Sequence, residues 1–128
     1  MKVLLDTHVL LWYYLDDPQL SATARAAIQN PENSIFISAA SHWEIAIKLS
    51  IGKYTLHAPF GTFIQEAVYD NGFRFLPFEP QHSAAMIGLP FHHRDPFDRF
   101  IVAQAVVEDM PIVSVDAILN NYPIRRLW

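Results

Sequence analysis

MKVLLDTHVLLWYYLDD, Met1 to Asp17, is the stretch on which the reading of the fold turns. An apolar run behind one lysine has the outline of a leader segment, but Asp6 and His8 interrupt it and no small-residue cleavage site follows. The same letters fit a short buried strand, KVLL, that runs straight into a helix, THVLLWYYL, with an acid at the junction. A strand feeding a helix is the first half of an alternating α/β unit.

That alternation continues. SATARAAIQN predicts a helix with Ser21 as N-cap and Pro31 closing it. SIFIS, Ser34 to Ser38, is β-branched and aromatic and predicts a strand; Ala39 to Ile51 predicts a helix stopped by Gly52. PFGTFIQEAVYDNG is a further helix ended by Asn71-Gly72, FRFLPF an extended segment, and Pro80 to Gly88 a short helix. HHRDPFDRFIVAQAVVEDM, His92 to Met110, holds the longest helix; PIVSV is a strand, and YPIRRLW a last extended piece. Strands separated by helices predict a central, mainly parallel sheet flanked by helices on both faces. No repeat, low-complexity tract or Gly/Ser linker divides the sequence, so one domain over residues 1–128 is expected.

Composition sets limits on function. With 52% hydrophobic and 13% aromatic residues the chain can bury a proper core, which excludes a disordered tail. The absence of cysteine excludes disulfides, thiolate metal sites and a thiol nucleophile. No uninterrupted run reaches the ~20 apolar residues that span a bilayer, so the expectation is a cytoplasmic protein with no membrane partner. A net charge of −4 argues against nucleic-acid binding through bulk positive charge, although Arg94, Arg99, Arg125 and Arg126 leave room for a local basic rim.

Four acids stand at strand–helix junctions or in first helical turns, and each has an ordinary explanation when taken alone. Asp6 ends the first strand and suits the N-cap of the next helix. Glu44 belongs both to a capping-box pattern, Ser41-x-x-Glu44, and to a favourable i,i+4 pair with Lys48. Asp95 reads as an N-cap, Pro96 as the first helical residue, and Asp98 as a first-turn acid facing the positive end of the helix dipole. Asp116 caps a short helix, Ala117 to Asn120. Two features go beyond capping. Asp98 stands in line with Ile101, Val102 and Ala105, which is the buried stripe of its helix, and Glu44 is surrounded by Trp43, Ile45, Ala46 and Ile47.

Parallel topology brings every strand-to-helix turn to one edge of the sheet, so the four carboxylates are expected to converge there. Two unit charges ~4 Å apart repel by up to ~4 kcal/mol at an effective dielectric of about 20, so such a cluster calls for a cation. Oxygen donors without cysteine, and histidines not at i,i+4 ligand spacing, favour Mg²⁺ or Mn²⁺ over zinc.

In this order, LLDTHVLLW, ISAASHWEIAIK, HHRDPFDRFIVAQA, IVSVDAIL and the terminal YPIRRLW resemble a PIN domain of the kind found in VapC-type toxins of bacterial toxin–antitoxin pairs, and DPFDR resembles the signature of a subgroup. The resemblance spans the chain. It implies a metal-dependent ribonuclease, a homodimer held inactive by a small antitoxin. It also implies that Asp6, Glu44, Asp98 and Asp116 are the catalytic and metal-holding acids, with Ser114, a candidate for contact with the RNA, at the position of the family's Ser/Thr near the last acid. Asp95 is a cap first and an auxiliary acid second.

His92, His93, Arg94 and Arg99 flank the acidic edge and suit RNA phosphates, the alternative being a solvated loop with Arg99 paired to an acid. His8 and His42 read as hydrogen-bonded structural residues, and Trp12, Tyr13, Tyr14 and Trp43 as core or partner-interface aromatics. A phospho-acceptor domain fits poorly, because DTH lacks a second acid two residues on. A non-catalytic acidic module that binds a basic partner peptide remains the competing function, and Mg²⁺-dependent RNA cleavage separates the two.

Overall fold

The computed structural model describes residues 1–128. Its centre is β1 (Lys2–Leu5), which alternates Val3 and Leu5 to one face and Leu4 to the other. Helix α1 (Thr7–Leu15) follows at once, capped by Asp6. The remaining elements are α2 (Ala22–Gln29), β2 (Ser34–Ser38), α3 (Ala39–Ser50), α4 (Phe60–Ile64), β3 (Arg74–Leu76), α5 (Pro80–Ile87), α6 (Pro96–Glu108), β4 (Ile112–Val113) and β5 (Arg126–Leu127). A 3₁₀ turn, Ala117–Asn121, joins the last two strands.

The five strands form one sheet in the order β3-β2-β1-β4-β5, and every pairing is parallel. Leu5 lies opposite Ile37 on one side and Val113 on the other, so three apolar strands stand in register at the middle of the molecule. Strands buried on both faces are continuous apolar runs, which is how KVLL and SIFI read. On one face Val3, Leu5, Ile37 and Val113 pack with Val9 and Leu10 of α1, Ala24 and Ile28 of α2, and Phe63 of α4. On the other face Leu4 and Ile112 pack with Ile101, Val102 and Ala105 of α6. A fully buried aliphatic or aromatic side chain such as Phe63 contributes roughly 1.5–3 kcal/mol, so both layers hold the sheet firmly. No helix is long and apolar enough to cross a membrane.

Polar groups inside this core are satisfied. Ser38 Oγ donates to Gln104 Oε1 at 2.5 Å, and Gln104 Nε2 donates to the carbonyls of Leu76 and Pro77, which staples α6 to the ends of β2 and β3. No buried side-chain nitrogen or oxygen lacks a partner.

Two local expectations are corrected. The Ser41–Glu44 capping box does not form, because α3 begins at Ala39 with Ser38 as its N-cap, its hydroxyl accepting from Ala40 N; Ser41 is inside the helix and accepts from Thr7 Oγ1. The helix over PFGTFIQEAVYDNG is α-helical only to Ile64 and then widens to a π-helix, Gln65–Tyr69. Of the aromatics expected in the core or at a partner interface, Trp12, Tyr13 and Tyr14 of α1 are half-buried against the core, and Trp43 is 60% exposed, which leaves it the interface alternative.

Candidate active site

The chain runs outward from β1 through β2 to β3, then returns to lay β4 on the free edge of β1. The order reverses between β1 and β4, and the carboxyl ends of strands at such a reversal are where open α/β sheets bind ligands. Asp6 immediately follows β1, and Asp116 lies three residues beyond β4.

Asp6 accepts from Thr7 N at 2.7 Å as the cap of α1, and from Ser114 Oγ at 2.6 Å. The same Ser114 hydroxyl accepts from Asp116 N at 3.0 Å, so one buried side chain ties the ends of β1 and β4 together. Burial pushes the Asp6 carboxyl above its ordinary range, against the opposing hydrogen bond from Ser114.

At the start of α6, Asp95 Oδ1 accepts from Phe97 N at 2.8 Å and Asp98 N at 3.3 Å, and Pro96 takes the first helical position. Asp98 is half-buried. It faces a crevice of about 10 Å³ that it lines with Asp6, Ile101, Asp116 and Leu119, a space on the scale of one water. Burial, and then the charges of Asp95 and Asp6, raise its carboxyl from 3.8 to about 7; Glu44 adds to this and His93 opposes it.

Glu44 is buried just off the crevice. Its Oε2 accepts from Lys48 Nζ at 2.8 Å, and this contact holds the Lys48 ammonium above its ordinary range. Lys48 also reaches Tyr54 Oη at 3.4 Å, which lies 3.5 Å from His8 Nε2. Asp116 caps the 3₁₀ turn through Ile118 N at 3.0 Å, and its other oxygen meets His93 Nε2 at 2.6 Å.

The structure therefore brings Asp6, Asp98 and Asp116 to one crevice, with Glu44 beside it. No three of the carboxylates stand closely enough to grip one ion as they are; Asp6, Glu44 and Asp116 each hold a partner from their own chain. The donor set itself suits a hard divalent cation, being all oxygen and charged well beyond what Lys48 neutralises.

Three residues expected to meet RNA are turned inward instead. Arg99 is 4% exposed and donates to the carbonyls of Met86, Leu89 and Pro90, with its guanidinium 4.0 Å from the centre of the Phe91 ring; it pairs with no acid. His93 is 8% exposed and bonded to Asp116 and Tyr122, and Ser114 is fully buried between two acids. Of the expected phosphate-facing set, Arg94 and His92 are exposed. His42 packs edge-on against Phe75 at 5.1 Å. Sequence reasoning missed Tyr122 altogether and gave Lys48 only a helix-pairing role.

A cleft of about 420 Å³ opens at the opposite sheet edge, lined by Asn30, Asn33, Asn71 and Arg74 among others. It carries no carboxylate and no histidine, so the acidic crevice is the candidate site.

The family model described as PIN domain matches residues 3–124. The chain belongs to the PIN domain family. Among curated relatives of this PIN domain, ribonuclease VapC22 of Mycobacterium tuberculosis is 28% identical over 121 residues, covering 94% of this chain and 91% of the relative. Ribonuclease VapC16 of the same organism is 37% identical over 71 residues, about half of each chain. Among solved structures, VapBC2 from Rickettsia felis bound to a promoter DNA fragment superposes with a TM-score of 0.69 at 13% identity and covers 100% of both chains. VapBC-1 from nontypeable Haemophilus influenzae gives 0.64 at 15% identity, covering 98% of this chain and 96% of that one. These likenesses establish the PIN fold, and they bear on no subgroup defined by Asp95 to Arg99.

Proposed function

We propose that this PIN domain is a metal-dependent endoribonuclease, the toxin of a toxin–antitoxin pair. The observation that carries the proposal is the crevice that Asp98 lines with Asp6 and Asp116 at the sheet's switch point, where burial, and then the charges of Asp95, Asp6 and Glu44, raise the Asp98 carboxyl to about 7. Charge concentrated this way in a crevice is the mark of a site shaped for a ligand rather than for stability. The ribonuclease names of the curated relatives support the choice of RNA as substrate.

Asp6, Asp98 and Asp116 are the residues that would hold Mg²⁺, or Mn²⁺ in its place, with Glu44 holding either the ion or the attacking water. When bound, such an ion supplies Lewis acidity toward a phosphodiester and neutralises charge on its oxygens. Ser114 keeps Asp6 and the Asp116 backbone in fixed relation, and Lys48 pairs with Glu44 Oε2 at 2.8 Å. Arg94, which is exposed, would meet a substrate phosphate. A small antitoxin that lays a basic residue on the acidic edge, and a homodimer, complete the proposal; the likeness to VapBC complexes supports the former.

The test is cleavage of a single-stranded RNA by the purified chain in Mg²⁺, in Mn²⁺ and in excess EDTA. Cleavage in either ion and none in EDTA is expected. Undiminished cleavage in EDTA refutes the metal dependence, and no cleavage in any condition, with the antitoxin removed, favours the acidic interaction module instead.

A further inference from the structure

We infer that His93 and Tyr122 are positioning residues for the reaction, forming a hydrogen-bond relay that fixes the Asp116 carboxylate at the crevice; the inference rests on the function proposed above. The backbone N–H of His93 donates to Tyr122 Oη at 3.1 Å, so that oxygen is an acceptor. Its own hydrogen is then free for His93 Nδ1 at 3.0 Å. With Nδ1 accepting, Nε2 carries the ring hydrogen and donates it to Asp116 Oδ2 at 2.6 Å. The directions are fixed from the far end, because a carboxylate can only accept: Nε2 must carry a hydrogen, and in the neutral ring Nδ1 then accepts from Tyr122 Oη.

An aspartate carboxylate by itself rotates broadly about its last torsion. Here Oδ1 is held by Ile118 N and Oδ2 by His93 Nε2, so rotation is blocked from both sides while each oxygen keeps acceptor capacity for a ligand. The relay's base is rigid. Tyr122 is 3% exposed, with its ring parallel to His93 at 5.6 Å and edge-on to His92 at 4.9 Å. The segment leading to His93 is anchored by Arg99 through the carbonyls of Met86, Leu89 and Pro90. A purely structural staple between these segments would be complete with the two bonds to Tyr122. The third bond goes instead to a carboxylate that lines the crevice, as do the outer partners that orient ligands in metal sites.

The test compares the full chain with Tyr122→Phe, His93→Leu and His93→Gln, all with their melting temperatures measured. Mn²⁺ affinity is read by calorimetry without RNA, and kcat and KM on a short RNA in Mg²⁺. Gln keeps an amide donor in the direction of Asp116, and Leu has none. His93→Leu and Tyr122→Phe are expected to lose on the order of 10–100-fold in Mn²⁺ affinity or kcat with KM unchanged, and His93→Gln to recover most of that loss. Wild-type Mn²⁺ affinity and kcat in His93→Leu, or equal losses in His93→Leu and His93→Gln, overturn the inference. If His93→Leu does not fold, Tyr122→Phe, which keeps the ring, decides alone by the same readings. A wild-type chain that binds Mn²⁺ with this ranking of variants but cleaves no RNA sinks the ribonuclease proposal and leaves the relay standing; one that neither binds nor cleaves overturns both.

Discussion

Replacing Asp98 by asparagine gives opposite results depending on whether the residue is a helix-end charge or a member of a repelling cluster. The raised carboxyl, about 7 folded against 3.8 for the ordinary group, means that the folded chain binds a proton more readily than the unfolded one between those values. Its contribution is thus fully present below pH 3.8 and lost as pH rises through 7. At 1.36 kcal/mol per unit the interval amounts to about 4 kcal/mol at pH 8, a ceiling that solvent screening of a half-buried group lowers. At pH 5 only about 1.5 kcal/mol of it has been lost. Asparagine has the same shape and no charge, so in EDTA the variant should be more stable than wild type by about 2 kcal/mol or more at pH 8, with the advantage shrinking at pH 5. Urea unfolding at both pH values measures this. In Mg²⁺ the ranking should narrow, because an ion that binds only the folded wild type stabilises it, and Asp98→Asn should not cleave RNA. A variant that is less stable by ~0.3–1 kcal/mol at both pH values and still active would show that Asp98 serves only the dipole of α6.

Arg99→Met keeps the aliphatic stem and strips the donors from three carbonyls; a loss of about 3 kcal/mol or more in urea unfolding is expected, and a loss below ~1 kcal/mol would mean that water replaces the guanidinium. Asp109 ends α6 at φ 52, a left-handed conformation that glycine adopts freely, and places a negative charge at the negative end of the dipole. Asp109→Gly should therefore raise stability by about 1 kcal/mol in a thermal melt without altering RNA cleavage, and a destabilised variant would refute this account of the cap.

What could be read in the sequence was what is local. The caps at Asp6, Ser21, Asp95 and Asp116 are side chains that bond one to three residues ahead, and all four stand where their spacing placed them. The gathering of the acids followed from one further step, that parallel strands put their helix starts on one edge. Features that depend on neighbours far along the chain were not legible. The start of α3 moved to Ser38, whose hydroxyl is committed at once to the cap and to Gln104. Arg99 looked like a phosphate ligand because nothing in DPFDR shows that the carbonyls of residues 86–90 fold back over it. Tyr122, in a segment expected only to be extended, acquires a role from a histidine 29 residues earlier. The widening of the helix at Gln65 carries no signal that its apolar spacing could have shown.

The hydrogen bond from Ser114 to Asp6 joins positions 108 residues apart, and Asp6 N likewise donates to Val113 O at 3.0 Å. While the protein is being made, the β2 partner of β1 leaves the ribosome early, and the other side of β1 has no strand to pair with until residues 112–127 have followed. During that interval Asp6, Glu44 and Asp98 are already in the chain, yet the crevice has only one wall and the relay has no tyrosine. On the function proposed above, synthesis carries its own delay, because the site is complete only when translation of this segment is done.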